Sequence, residues 1–497
     1  MTLFLWLGVN ELNIRLSAEK ERAYYGFVHF NPDTNGYRTQ IEHYLDGHGF
    51  TLDPEEEPAM SVRRTPGYPL FYAAHRVLFG IENAHFYIRY TQIILFALSC
   101  YWLLLAMQNL VPDRKWASWA AWLYALSPFV PMYSYYIVTE AVVSTMVIFV
   151  LWVYSCYYRT QARKYLYWTA LVIGALFLTR PLMGILLPAV FLATVQFKSL
   201  LNKTYLKQKF LDGVVYALGF ATLVAPWVIR NYIVTDGDIV LAEKFYHGAP
   251  MKYGRGHIKF RTLNSVWSNT GNGQAEYFGM QLKYQAADVG SKENATRFIK
   301  QYMEDLPQDI RVSEYAVALE KLLWQMYDCY VQTDEYLQKN PAAKRAEWLN
   351  LSCQDEVEAE ADQILQQLKK AYPVRYYLLE PLQSIGQVML QSNTHHIYSL
   401  NPKDKSLAFW QKAIKGICLI LNFILFVSLF SFIIAPKSPY HLRMIAGLSF
   451  LGMLLVLVWG VRHLENRYLI PFMPFAAIAM SYFLVALHNK FISKNKN

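Results

Sequence analysis

The 497-residue chain predicts an all-α polytopic membrane protein that carries a mainly helical domain outside the bilayer. Three observations predict it. Hydrophobic residues make up 54% of the chain and aromatics 16%, with a mean hydropathy of +0.13, whereas a soluble chain of this length divides into domains with charged surfaces. The apolar residues come in runs long enough to cross a hydrocarbon core of about 30 Å as helices. Short basic loops, nearly free of acids, recur between those runs.

Taken in order, Met1 to Val9 is apolar but too short to cross, and it lacks the basic leader and small-residue cleavage site of a signal peptide. It reads as the tail of a first helix, a truncated start or an interfacial anchor. Residues 1–87 form a first extracytoplasmic loop, with a helix expected from Tyr37 to Gly47 and an amphipathic surface helix over 68–79 that ends at Gly80. Residues 88–233 form a transmembrane body with spans at 88–111, 116–133, 138–158, 165–180, 182–198 and 212–233. The fourth and fifth spans are parted at Arg180-Pro181, where proline removes a backbone donor and stops the helix. Residues 234–407 read as a soluble domain: loop or irregular strand over 234–275, then helices over 292–303, 312–337 and 354–372 from their 3.6-residue periodicity, and another over 376–393. Residues 408–497 hold three closing spans, at 410–435, 442–461 and 468–487, and a basic cytoplasmic tail.

The basic loops around Arg114/Lys115, Arg159/Arg163/Lys164, Lys198–Lys209 and Lys437/Arg443 fall on one side if the spans alternate, so that side is the cytoplasm. The first loop, the 134–140 turn, Arg180, the 234–407 segment and the 462–467 loop then share the opposite face. The formal charge of +10 follows from this topology and an anionic lipid surface rather than from nucleic acid. No Gly-rich phosphate loop, metal-finger spacing or C-x-x-C occurs. Cys100, Cys156 and Cys418 fall in spans as apolar filler, while Cys329 and Cys353 share the exported segment and could pair in an oxidising compartment.

Candidate chemistry collects on the extracytoplasmic face. Asp33, in P-D-T-N-G-Y, is placed in a turn close to a helix start, which favours its ionised form, although an ordinary N-cap has the same pattern. Glu140 opens an apolar helix after an aromatic run, as a cap or as an acid facing a bundle cavity. Arg63/Arg64, Arg180, Arg230 and the Arg462/His463/Arg467 group supply cations, against the ordinary alternative of interfacial snorkelling. Arginine suits phosphate because it is permanently charged and bidentate. A divalent metal is compatible with this chemistry, but no ligand cluster stands out; His43 and His48, near Asp33, read as polar loop histidines.

The motifs P-D-x-x-x-Y, G-H-G-F, R-T-P-G-Y-P-L-F, S-P-F…V-T-E, L-T-R-P, A-P-W-V-I-R-N-Y and E-N-R-Y-L-I-P-F-M-P-F, in this order, resemble the bacterial GT-C glycosyltransferases, a group similar to the protein O-mannosyltransferases and the aminoarabinose transferases that modify lipid A. The resemblance covers most of residues 31–240 and 460–480 and is weak across the soluble domain. It implies a polyprenyl-phosphate sugar donor and an active site at the outer surface of a bacterial inner membrane. On it, Asp33 falls on the first-loop catalytic acid, Glu140 on the second acid, and Arg64 where a basic residue lies near the donor phosphate. Tyr37, Tyr68, Arg180, Arg230, His463 and Arg467 complete the expected substrate-binding set, with a lipid, glycan or protein acceptor. The rivals are a lipid-linked-sugar flippase or transporter, for which charges deep in spans and inverted repeats are missing, and a non-catalytic envelope-assembly subunit.

Overall fold

The computed structural model describes residues 1–16, 22–23, 28–29, 32–51, 62, 64–199, 201–235, 237, 239–242, 254–268, 271–341, 343, 345–394, 397, 400 and 407–494. Parts of the first loop, including Arg63, and all of 243–253 therefore lie outside the described residues. The chain is built almost wholly of helices; a two-residue antiparallel pair joins Arg22–Ala23 to Val28–His29.

Four helices lead into the body: α1 (Thr2–Leu16), α2 (Pro32–Leu45), α3 (Gly67–Leu110) and α4 (Arg114–Leu126). The apolar start of the chain thus belongs to a 15-residue helix. The expected surface helix and first span are one element, α3, broken at Gly80, whose φ of 78° is open to glycine and strained for other residues. The expected span 116–133 is shorter: α4 has 13 residues because Ser127, held extended ahead of Pro128, ends it.

The body continues with α5 (Glu140–Thr160), α6 (Arg163–Thr179), α7 (Leu186–Ala193) and α8 (Lys203–Val234). Arg180 leaves the helical region at φ −149° for the same pre-proline reason, and Pro181–Ile185 form a 3₁₀ turn before α7. Among the described residues, six helices are long and apolar enough to cross a membrane: Gly67–Leu110, Glu140–Thr160, Lys203–Val234, Phe409–Ile434, Tyr440–Gly460 and Asn466–Lys490. Of the nine expected spans, 165–180 is the 17-residue α6 and 182–198 shrinks to Pro181–Ala193.

A second apolar core, separate from that of the body, is built by α9 (Arg255–Asn264), α10 (Gly271–Met280), α11 (Lys292–Glu304), α12 (Gln308–Arg311), α13 (Glu314–Lys339) and, after the short α14 (Arg345–Leu349), α15 (Ser352–Ala371) around Phe260, Phe278, Tyr302 and Leu322. Cys329 and Cys353 form a disulfide between α13 and α15. The irregular segment expected over 234–275 is corrected by α9 and the start of α10. Its helical stripe was hidden because Gly256, His257 and Asn264 occupy buried positions beside Phe260 and Leu263. The helix expected over 376–393 is a π-turn at 375–379 followed by α16 (Glu380–Met389).

The closing helices are α17 (Phe409–Ile434), α18 (Tyr440–Leu454), α19 (Asn466–Leu469) and α20 (Met473–Lys494). They pack back on the first half: α20 against α4, α18 against α7. The Trp116 indole donates to the Ile478 carbonyl at 2.9 Å, and Trp6 donates to Ala125 at 2.8 Å. Arg462, in the loop before α19, donates to the Tyr376 carbonyl at 2.7 Å and lies 3.8 Å above its ring. That contact joins the loop carrying His463 and Glu465, which leads into Arg467 on α19, to the middle domain.

Candidate active site

Eight separate stretches of the chain, from Asp33 to Tyr468, reach one polar cavity of about 570 Å³. Pro32 is the first residue of α2, where a fixed φ costs nothing, so the helix starts five residues before the expected Tyr37. Asp33 therefore sits within the first turn rather than in a preceding loop, where the positive end of the helix dipole favours its charge. The Thr34 hydroxyl donates to the Ile137 carbonyl at 3.2 Å. Gln92, buried in α3, donates to the carbonyls of Ser134 and Tyr136 at 2.8 and 3.0 Å. These bonds fix the 134–139 loop, and with it Glu140, beside α2.

The Pro-Gly-Tyr-Pro stretch docks on the Arg180 break. A Cβ on Gly67 would lie 2.4 Å from the Thr179 hydroxyl oxygen and 2.6 Å from its backbone nitrogen. Only glycine allows that approach, and it delivers Arg64 to the cavity. The Arg64 guanidinium donates to Asp33 Oδ1 at 2.7 Å and lies 4.9 Å over the Tyr37 ring. Arg467 takes the other oxygen of Asp33 through Nη1 and reaches Glu465 through Nε; Glu465 also meets His463 Nε2 at 2.6 Å. On the adjoining wall, Arg180 donates to Glu140 at 3.0 Å and to the Thr139 hydroxyl at 3.3 Å, with its guanidinium over Tyr468.

Burial opposes ionisation of Asp33, but Arg64 and Arg467 outweigh it and hold the carboxyl well below the usual carboxylate range. Glu465 follows the same balance: burial raises it, while His463 and Arg467 bring it down to about 2. Both acids are ionised at any physiological pH, stabilised by charge-assisted hydrogen bonds. The middle domain adds a further pair, Arg261 and Glu276, at 3.1 Å. In all, four carboxylates and four arginines line the cavity, and each arginine is matched to an acid.

Of the residues expected from sequence, Asp33, Tyr37, Arg64, Glu140, Arg180, His463 and Arg467 line this cavity. Tyr68 does not; fully buried, it stands behind Tyr37, the rings 5.0 Å apart, and its hydroxyl donates to Gln92 at 3.3 Å. Arg230 is also elsewhere: it lies 4.8 Å over Trp227, near Phe50, and bonds the Asn231 side chain at 2.8 Å. Three charged lining residues, Glu465, Arg261 and Glu276, are not among the expected set. Glu465 was visible inside the E-N-R triplet, but Arg261 and Glu276 carried no signal because the helices that present them were unread. Among the described residues, no three His, Cys, Asp or Glu side chains are grouped to hold a metal ion.

Comparison with known proteins gives structural neighbours. The archaeal oligosaccharyltransferase AglB from Archaeoglobus fulgidus, in complex with an inhibitory peptide and a dolichol-phosphate, aligns over 100% of this chain and 51% of its own, at 12% identity and a TM-score of 0.45. ArnT from Cupriavidus metallidurans bound to undecaprenyl phosphate aligns over 96% of this chain and 76% of its own, at 13% identity and a TM-score of 0.36. The chain is similar to both. It spans about half the length of the first and three quarters of the second. No protein-family model matches it, and no curated protein matches it by sequence.

Proposed function

We propose that the chain is a glycosyltransferase of the GT-C type, which takes a sugar from a polyprenyl-phosphate carrier and passes it to an acceptor hydroxyl at the extracytoplasmic face of a bacterial inner membrane. The observation that carries this reading is the meeting of Asp33, Arg64, Glu140, Arg180 and Arg467 in one polar cavity where apolar helices end. A lipid-borne phosphate arrives at such a level with its chain still in the bilayer. Arg64 and Arg467 are then the phosphate-binding groups, and Arg180, held by Glu140, extends the cationic wall.

The reaction is a single displacement. The acceptor oxygen forms a bond to the anomeric carbon as the bond from that carbon to the phosphate oxygen breaks, which inverts the configuration. The electron pair leaves on the phosphate, where fixed guanidinium groups stabilise the developing charge. The hydroxyl proton passes to Asp33, a transfer that contributes about 10²–10⁴-fold in comparable systems. Glu140 orients the acceptor, and Arg261 and Glu276 offer the middle-domain side of its site. The sugar-transfer activity of membranes carrying Asp33→Asn tests the reading: transfer should fall to background at unchanged protein level, and near-wild-type turnover would remove Asp33 as the base.

A further inference from the structure

The function proposed above gives Arg64 and Arg467 to the donor phosphate, yet both guanidinium groups are bonded to Asp33, one to each carboxylate oxygen. Among the described contacts, Glu140 is met by Arg180, Glu276 by Arg261, and Glu465 by His463 on one oxygen and Arg467 on the other. Asp33 is accessible from the cavity, as Glu465 is at 38%. The Asp33 side chain is 27% exposed, with Arg64 at 29% and Arg467 at 22%, whereas Glu140 and Arg180 are at 3% and 10%.

We propose that Asp33 and the donor phosphate compete for Arg64 and Arg467, so that donor binding is the event that frees Asp33 to act as the base. The inference rests on the donor assignment above and goes beyond it by ordering the steps. A carboxylate that accepts from two arginines is a poor proton acceptor, because the proton must displace two charge-assisted bonds. A phosphate anion is acceptor-only and matches the same guanidinium edges. As it draws them away, Asp33 regains its basicity with the sugar's anomeric carbon already in place. Glu465 keeps its bond to Arg467 Nε, which leaves Nη1 as the edge that changes partner.

The charges move consistently through the cycle. The donor is a phosphodiester with one negative charge. On transfer the carbon–oxygen bond breaks toward phosphate, leaving a polyprenyl monophosphate with up to two charges, and Asp33 holds the acceptor's proton. The product therefore competes for the arginines at least as well as the donor. When it leaves and Asp33 loses the proton to water, the arginines return to the carboxylate. An acceptor bound before the donor would meet a base that is still occupied.

The test is binding of undecaprenyl phosphate to the full-length protein in lipid nanodiscs, for the wild type and Asp33→Asn. Removing the competing charge should tighten binding by roughly tenfold, the equivalent of about one charge-assisted hydrogen bond, while abolishing transfer. Asp33→Ser, which removes the charge with a smaller side chain, should shift binding the same way and serves if the amide variant does not fold. Wild-type binding with unchanged or weaker binding by the Asp33 variants overturns the competition and leaves the donor assignment standing. Absence of binding by wild type and variants alike overturns the donor assignment and the competition with it.

Discussion

Asp33 and Asp212 are both acids held by two cations, at opposite ends of the helical body. Asp212, on α8, accepts from Arg163 on α6 at 2.8 Å and from Lys209 at 3.0 Å, with the Tyr157 hydroxyl of α5 at 3.4 Å. Its side chain is 2% exposed and closes a joint between three helices. Asp33 has the same number of cationic partners, but they come from the first loop and from α19, and the group opens on a cavity. Burial and pairing are thus common to a fastening and to a candidate site. What separates them is access, together with the number of distant segments brought to one point.

The largest effect should come from the two neutralising substitutions run side by side. Asp33→Asn should reduce sugar transfer by about 10²–10⁴-fold with a smaller change in melting temperature than Asp212→Asn, since Asp33 is 27% exposed against 2% for Asp212 and cavity water can solvate its two arginines. Asp212→Asn should do the reverse. It leaves Arg163 and Lys209 without their acid and costs about 2–3 kcal/mol, a breakage penalty reduced here because Arg163 is 45% exposed, while turnover per folded molecule stays near wild type. Thermal unfolding in detergent and a transfer assay on the same preparations measure both. Equal loss of activity in the two variants would erase the distinction.

Arg180→Gln should show both behaviours at once, because Glu140 is 3% exposed and would keep a buried charge without its guanidinium. Stability should drop by about 3 kcal/mol and transfer by roughly 10²-fold. The double variant with Glu140→Gln should recover much of the stability but none of the transfer.

The same comparison explains what was legible in the sequence. Asp33 and Arg180 stood out because each adjoins a proline (Pro32, Pro181), Arg64 because it precedes Thr-Pro-Gly, and Arg467 because its short polar loop joins two apolar spans on the same face as the others. Arg230 stands at the end of a span too, in A-P-W-V-I-R-N-Y, but that position fixes only its depth. The helix rotation that sends it over Trp227, away from the cavity, depends on how α8 packs. Tyr68 shows the related limit: a motif position can support the cavity from behind without touching it. The middle domain's contribution was unreadable because α9 buries Gly256, His257 and Asn264, so hydropathy periodicity gave no helix on which to place Arg261. Likewise α4 was read too long, since the apolar composition of Pro128–Tyr133 outlasts the helix that Pro128 ends.

A backbone test of the site end follows from Gly67. Its missing side chain is replaced by the Thr179 backbone and hydroxyl at 2.4–2.6 Å, so Gly67→Ala must push the first loop from the Arg180 break and move Arg64 with it. Displacement on this scale should cost about tenfold in turnover, in keeping with the steep dependence of such reactions on positioning. Gly416→Ala, on α17 with open space around the added methyl, is the matched control and should leave transfer unchanged.

The smallest effect concerns acid. Glu465 is lowered from 4.5 to about 2: burial raises it, but His463 and Arg467 prevail. A depressed carboxylate contributes stability that is fully present above its unfolded value and is lost as pH falls through the folded one, here from about 4.5 down to 2. Asp33 is lowered as well, so between pH 5 and 8 neither group should make stability vary. Arg467→Gln removes the cation shared by both acids, and both should move back toward ordinary values. The acid-unfolding midpoint should therefore rise by a fraction of a pH unit, with His463 still holding part of the shift on Glu465. Arg163→Gln, at the opposite end, should leave the protonation of Asp33 and Glu465 untouched. Carboxylate titration followed by infrared absorption separates the two variants: a new band of protonated acid near pH 4 in the Arg467 variant is expected, and an unchanged spectrum there would show that Arg467 is not what keeps the pair ionised.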